Sequence, residues 1–514
     1  MGAQSDIYRN LAGRFEYEQV LIAAGTLFIV AVTGLAVWRL YFHQLARFPG
    51  PKIAALTDYY VTYYDLVKYG ATVHQLEVLH QRYGPVVRIG PNKLHFSDLK
   101  AFDDIYRNNR FIKDRWFYDC FLEQESSFGY IDQRLAKERK DILRPLFSRT
   151  GVLRLEHVIQ DAVDRFIDTL GILTSSKEPI DLHLGFMAIS MEIITTYCFA
   201  KSYNTISSPG FRHPVSISLL ETSFPLFLMQ HFPILTPFLM GMPPWLARVV
   251  SPGAYHFQRF RQSLEDQVDE ILNDPTSLDR AEHEIIYHHL LNPKTGAPPP
   301  EHSSLIAEAS VMVAAGSDTV ANTCMMGVFR TLSDKNIEQK LRQELAEAWP
   351  EVDERMSLER LEKLPYLTAV IKESLRLSHG VVSPLPRIVP HETRIGDVVV
   401  PQSTIVGMGQ SFVHLNPDIF PNPKAFDPSR WFGKNASDLE SYLVPFSKGP
   451  RSCLGLNLAW AELYLILGTL FRKVDLELFG TLPSDFDWGA FLVPRYHGTL
   501  RVKVIDVQGT REVQ

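Results

Sequence analysis

The chain has 514 residues, 46% of them hydrophobic and 21% charged, with a net charge of −6 and a pI near 6.3. That is ample material for a large apolar core, and the mild acidity argues against a general nucleic-acid binder. Cys120, Cys198, Cys324 and Cys453 are too few and too scattered for a disulfide framework, which fits a reducing compartment.

The first predicted element is VLIAAGTLFIVAVTGLAVW, Val20 to Trp38, 19 residues without a charge. A helix of about 20 apolar residues spans the hydrocarbon core of a bilayer. A buried core helix fits poorly, because the run lies alone at the terminus. A cleaved signal fits poorly too: Asp6, Glu16 and Glu18 dilute the basic residues ahead of the run, and no small-x-small cleavage site follows it. The reading is a retained anchor at 20–38 behind a lumenal segment at 1–19. Arg39, Arg47 and Lys52 after the run, against Arg9 and Arg14 before it, favour a cytosolic body. RFPGPK, Arg47 to Lys52, closes a proline hinge over 39–52, a stiff connector that sets how the body leaves the membrane.

The body, 53–514, shows no internal repeat and no second linker. VVRIGPNKLHF, Val86 to Phe96, reads as two short strands broken at Gly90-Pro91. Helices are expected over Leu153 to Leu173, Ser303 to Leu332 and Asn336 to Trp349. Phe211 to Val250 is very apolar and carries six prolines. It is too broken to span a bilayer, and is either core or an apolar surface dipping into the membrane. VVVPQSTIVGM, Val398 to Met408, reads as a second strand pair. The fold class is mainly α with small β-sheets, in a unit larger than the usual limit of about 250–300 residues for one core.

Three stretches carry chemistry. In VAAGSDTVAN, Val313 to Asn322, Thr319 sits mid-helix, where its hydroxyl can bond back to the Ala315 carbonyl. Gly316 beside it loosens the helix and leaves room for water. In VIKESLRL, Glu373 and Arg376 are three apart and share a helix face. In FSKGPRSCLG, Phe446 to Gly455, a lone cysteine sits between Gly449-Pro450 and Gly455, ahead of the long apolar helix that opens at Leu454. A zinc site would need more thiols or histidines nearby, a nucleophile would need a histidine base, and the bland alternative is a buried thiol. The glycines let the backbone approach a flat partner, the first helical amides face the sulfur, and Arg451 offers a cation to a carboxylate. A thiolate held this way suits an axial iron ligand in haem.

The stretch resembles the haem-binding signature of the cytochrome P-450 family, Phe-x-x-Gly-x-Arg-x-Cys-x-Gly, with Phe446, Gly449, Arg451, Cys453 and Gly455 at every fixed position. The likeness extends over essentially the whole chain. It implies a cytochrome P-450-like fold behind an N-terminal transmembrane helix, haem b ligated by Cys453, and Asp318 and Thr319 as the acid–alcohol pair that handles dioxygen and protons. It implies that Arg430 of FDPSRW joins Glu373 and Arg376 in a buried cluster beneath the haem. Arg451 and Arg387 of PLPRIVP would meet haem propionates. A third contact lies, in the family, on a Trp-x-x-x-Arg motif, and here RLAKERKDILRPLFS puts Ala136 and Lys140 at those positions with Arg139 alongside. Lys137, Arg139 and Lys140 are also candidates for a basic face that docks an acidic electron donor. Family analogy places the substrate pocket among Phe111 to Tyr130, the helix before Thr319, Val381 to Leu385, and Phe491 to Val493. The apolar candidates there are Trp116, Phe117, Phe128, Val311, Ala315, Val381, Val382, Leu385 and Leu492. Lys113, Asp114, Arg115 and Asp119 read as solvated loop charges or as a polar substrate contact.

The wording of GSDTVAN, PLPRIVP and FDPSRW is similar to fungal membrane-bound members of secondary metabolism, which tailor terpenoids, polyketides and alkaloids. The resemblance implies a monooxygenase on the endoplasmic reticulum membrane, single-pass, with its catalytic domain in the cytosol. It would use O2 and NADPH electrons from a separate NADPH–cytochrome P-450 reductase, with cytochrome b5 as a further candidate donor, because no Gly-x-Gly-x-x-Gly or flavin domain is present. Membrane lipid and a lipophilic small molecule are its other expected partners, with no nucleic acid. The alternatives are a haem-thiolate isomerase or dehydratase needing no external electrons, against which the intact acid–alcohol pair argues, and a non-enzymatic haem-binding protein.

Overall fold

A helix runs from Gly2 to Val37 in the computed structural model, which describes residues 2–108, 110–174, 178–294, 296–433 and 435–509, with 2–18 as backbone only. Met1, residues 510–514 and the side chains of Asp6, Arg9, Arg14, Glu16 and Glu18 lie outside the described residues. Gln19–Phe42 is a candidate membrane span of 24 residues with mean hydropathy 2.5, none of it packed inside the fold. At about 1.5 Å per residue it outreaches the ~30 Å of a hydrocarbon core. The helix ends in one wide π turn, Trp38–Phe42. There Arg39 donates to the Leu56 carbonyl, and the Arg39 carbonyl accepts from Arg88 Nη1 at 2.8 Å. Leu45, two residues past the turn's cap, is completely buried with Leu94, Phe96 and Val406.

The body is built around one helix, His302–Ser333. Its residues are apolar or small almost all round, so it buries most of its surface instead of one stripe. Leu182–Phe199, Pro365–Ser378 and Leu456–Lys473 pack against it. The close approaches need missing side chains: a Cβ on Gly316 would lie 2.6 Å from Ile194, and one on Gly327 2.5 Å from the Ser374 hydroxyl. Leu182–Phe199 is apolar enough to cross a membrane, yet is 94% buried by the helices around it.

The expected helices at 303–332 and 336–349 form as His302–Ser333 and Lys335–Ala348. The one at 153–173 does not form as a single element. Arg149–Arg154 and Glu156–Thr174 meet at Leu155, whose amide is shared between the Gly151 and Val152 carbonyls. Val86–Gly90 and Lys93–Phe96 pair antiparallel as expected. The expected pairing within 398–408 is corrected: Val398–Val400 pairs with Thr393–Ile395, whereas Ile405–Gly407 runs parallel to Lys93–Phe96 and antiparallel to Arg387–Ile388. Ile112–Lys113 completes that five-stranded sheet beyond Arg387–Ile388.

The proline-rich stretch divides. Pro214–His231 is helical and half-buried, and the chain bends by 117° before continuing to Met240. Ile234, Phe238, Trp245 and Val249 beyond the bend are exposed, and Phe232 stacks on Tyr59 of the N-terminal part of the body.

Candidate active site

The cysteine loop is shaped before it reaches the sulfur. Ser447 and Gly449 both take left-handed backbone, with φ of 57° and 73°. A Cβ on Gly449 would lie 2.5 Å from the Tyr106 carbonyl, so only glycine fits. Gly449–Arg451 makes a 3-10 turn, and the Cys453 amide donates back to the Phe446 carbonyl at 2.9 Å. The following helix starts at Leu456, two residues later than expected, with Gly455 as its cap. Gly455 has ordinary φ of −82°, and a Cβ there would meet only the Cys453 sulfur, at 3.9 Å. Its role is therefore room beside the sulfur, not backbone freedom.

Cys453 is exposed, yet burial pushes its thiol above the ordinary range, with the Gly455 amide and Lys140 pulling it back. The two facts agree if the sulfur faces an enclosed chamber instead of the outer surface. The central helix carries the same signature. Ala314 and Ala315 are exposed midway along it, although Met312, Val313, Ser317 and Asp318 around them are buried.

Four cations gather near the cysteine loop. Lys113 and Arg387 are buried, and Arg451 and Lys140 are half-buried. Burial, then Arg451, Arg387 and Lys140, push the Lys113 ammonium well below the lysine range. Burial and Arg387 hold Arg451 down to about 10. Asp132 and Asp141 lie in their field, but among the described residues none of the four has an ion-pair partner. They spend donors on neutral groups instead: Lys113 on the Phe128 carbonyl, Arg387 on the Tyr118 hydroxyl, and Lys140 on the Ser452 carbonyl at 2.7 Å. Arg451 Nη1 is buried with no partner at all. Uncompensated cations and an orphaned guanidinium nitrogen beside an accessible thiol fit a flat iron macrocycle with two carboxylates.

The basic docking face expected from Lys137, Arg139 and Lys140 is not there. Arg139 is turned inward against Glu308 at 3.0 Å, with Glu308 fully buried, and Lys140 braces the cysteine loop. Lys137 alone of the three is exposed, and it pairs with Asp141. Ala136 is buried, sharing a face with Lys140 one turn on. Lys113 likewise is no solvated loop charge. It lies in a strand, 4.1 Å from the Tyr118 ring centroid.

Glu373 and Arg376 bond as their spacing implied, and Arg430 joins them as the resemblance implied. Arg376 grips both carboxylate oxygens, at 2.7 and 2.9 Å, and Arg430 Nε reaches Oε1 at 3.0 Å. The Asp427 amide and Trp431 indole also donate to Glu373. Arg376 further donates to the His414 carbonyl, and the His414 ring accepts from the Val444 amide, two residues ahead of Phe446.

On the central helix the Thr319 hydroxyl donates to the Ala315 carbonyl at 2.9 Å. Asp318 is buried and paired with Arg495 at 2.5 Å, a partner that no local pattern announces. The substrate stretches are brought together in part. The Val382 and Ser383 amides donate to the Leu492 carbonyl, fixing the 488–496 hairpin tip to 381–385. Val311, Phe128, Val381, Leu385 and Leu492 keep accessible surface, and Trp116 is exposed. Val382 is corrected: it has no accessible surface, packing between Val73 and Ala490. Phe117 is buried against Tyr118 and Phe121.

Comparison with known proteins agrees with this geometry. The family model described as cytochrome P-450 matches residues 59–502. A tryptophan 6-hydroxylase from Fusarium equiseti is 34% identical over 486 residues, covering 93% of this chain and 94% of that protein. A cytochrome P-450 monooxygenase from Sordaria araneosa is 34% identical over 497 residues, covering 93% and 96%. A conidiogenone synthase from Penicillium rubens is 32% identical over 495 residues, covering 94% and 98%. With the family model matching residues 59–502 and relatives above 30% identity covered almost end to end, the chain belongs to the cytochrome P-450 family and is an oxidoreductase of the monooxygenase class.

Proposed function

We propose that the chain is a membrane-anchored haem-thiolate monooxygenase that hydroxylates or epoxidises a lipophilic small molecule, using O2 and electrons that originate in NADPH. The observation that carries this reading is the set of uncompensated cations beside the accessible, desolvated Cys453 thiol. Cys453 would ligate the iron, and Arg451, Arg387, Lys140 and Lys113 would take the propionates. Haem bound there supplies dioxygen activation, strengthened by electron density from the thiolate. The chain's own residues do the rest. Asp318 and Thr319 hold and pass protons at the central helix, next to the surface opened by Ala314 and Ala315. Glu373, Arg376 and Arg430 fix the approach to the cysteine loop through His414 and Val444.

The catalytic body would face the cytosol on the endoplasmic reticulum membrane, taking electrons from NADPH–cytochrome P-450 reductase, with cytochrome b5 as a second donor. Exposed Ile234, Phe238, Trp245 and Val249 support a second contact with lipid and a substrate that arrives from it. A terpenoid is the favoured substrate, then a polyketide or an indole alkaloid. The names of the tryptophan hydroxylase and conidiogenone synthase relatives support fungal secondary metabolism.

The test is the carbon monoxide difference spectrum of the reduced protein. The wild type should show the red-shifted thiolate band, and Cys453→Ala should lose it. A normal band in the variant refutes the ligand assignment. A spin-state titration with terpenes, aromatic polyketides, prenylated indoles, L-tryptophan and fatty acids then names the substrate class.

A further inference from the structure

Asp318 does not stand free on the central helix. Its Oδ2 lies 2.5 Å from Arg495 Nη1, and its Oδ1 accepts from Asn322 Nδ2 at 3.3 Å. Asn322 also donates to the Pro494 carbonyl at 3.3 Å, and its own oxygen is 3.1 Å from His183 Nε2. Acid and guanidinium are both largely buried, so water does not screen the pair.

Arg495 belongs to the strand Val493–Tyr496, and its other nitrogens turn to a third element. Nε donates to Ser223 Oγ at 2.7 Å and Nη2 to the Leu219 carbonyl at 3.3 Å, both on the helix Pro214–His231. That helix is fastened again along the same face. Phe227 meets the edge of Phe491 at 5.2 Å, and His231 sits between Asp65 at 2.8 Å and Thr62 at 2.9 Å. Leu219, Ser223, Phe227 and His231 are spaced four apart, which puts them on one helix face. Of these fastenings, Arg495 is the one that also reaches the acid. Nη1 meets the acid as an ion pair at 2.5 Å without hydrogen-bond geometry, while Nε and Nη2 donate to the helix, so one planar guanidinium serves both neighbours as a lysine cannot.

We propose that Arg495 is a positioning residue: it fixes the orientation of Asp318 and couples that orientation to the helix Pro214–His231. This rests on the reading of Asp318 as a proton-handling acid. Coupling is reciprocal, so loosening either end loosens the other.

The test uses full-length, haem-loaded protein in lipid discs with reductase, NADPH and O2, and no organic substrate. Each dioxygen then leaves either as hydrogen peroxide, consuming one NADPH and one proton, or as two waters, consuming two of each. The ratio of peroxide to water reads proton delivery. Asp318→Asn and Arg495→Gln should both raise it by roughly tenfold. Arg495→Lys, which keeps the ion pair but not the fork, should stay near wild type. Amide exchange across residues 214–231 is the second readout. It should quicken in Arg495→Gln, Arg495→Lys and Ser223→Ala, and also in Asp318→Asn, which touches a different helix. Unchanged exchange in Arg495→Gln and Asp318→Asn overturns the coupling. A wild-type ratio in Arg495→Gln alongside a raised ratio in Asp318→Asn overturns the positioning role. If Asp318→Asn leaves the ratio unchanged, the acid reading itself fails, and exchange alone decides the coupling. Should Arg495→Gln not fold, Arg495→Lys and Ser223→Ala decide it by exchange.

Discussion

Lys113 and Arg387 are register partners in an antiparallel strand pair, two buried basic residues side by side, neither with an ion-pair partner among the described residues. The arrangement opposes folding unless an anion is bound. Lys113→Met should therefore stabilise the haem-free protein, by about 1 kcal/mol or more, while speeding haem loss to an acceptor such as apomyoglobin. The pH dependence has a definite sign. Because the folded ammonium is held below its ordinary value, the unfolded chain binds the extra proton, and haem-free stability rises with pH between the depressed and the ordinary lysine values. Thermal unfolding of haem-free wild type and Lys113→Met against pH checks this, and the variant should lose that rise.

Glu373 accepts from two arginines, an amide and an indole while fully buried. Glu373→Gln leaves Arg376 and Arg430 without their counter-charge, at a cost of roughly 3–5 kcal/mol. The expected outcome is protein that expresses poorly or binds haem without the thiolate band. Normal spectrum and melting temperature would remove the cluster from the support of the cysteine loop.

Thr319→Ala deletes one hydroxyl from a partly accessible site, so stability should change by no more than about 1 kcal/mol. Haem binding should persist and NADPH should be diverted to peroxide. Coupling of NADPH to product equal to wild type would rule out a proton role.

The two signature glycines should fail differently. Gly449→Ala forces a side chain into the Tyr106 carbonyl on left-handed backbone, which alone costs roughly 1–2 kcal/mol. It should lower the melting temperature of the haem-free protein. Gly455→Ala has ordinary backbone and open space, so the haem-free protein should melt as wild type does, but the methyl beside the sulfur should disturb the haem spectrum. Equal melting losses in both would contradict the distinction.

What the sequence made legible was local. The Glu373–Arg376 spacing, the Thr319 back-bond to Ala315 and the signature around Cys453 are short-range patterns, and the structure keeps them. The partnerships that local pattern does not reveal are made by long-range pairing. Lys113 meets Arg387 across a strand pair, and Arg495 meets Asp318 from near the end of the chain. Nothing in FIKDRW or LVPRYHG announces those partners. Arg139 differs from its neighbour by one helical step: Lys140 is one turn from Ala136 and faces the cysteine loop, while Arg139, about 100° around the helix, faces Glu308. The pairing error at 398–408 has the same origin, because the turn at Pro401 to Ser403 looks like a hairpin but sends its two arms to different sheets.

The burial of Leu45 has a practical consequence for where the chain can be cut. Removing the N-terminal apolar helix by a cut beyond Arg47 would also remove a side chain that fills the sheet-side core, together with the Arg39–Leu56 and Arg88–Arg39 bonds. A cut before Trp38 would spare all three. A soluble form trimmed at the prolines should therefore be less stable than one trimmed a dozen residues earlier, although the longer form retains more greasy surface.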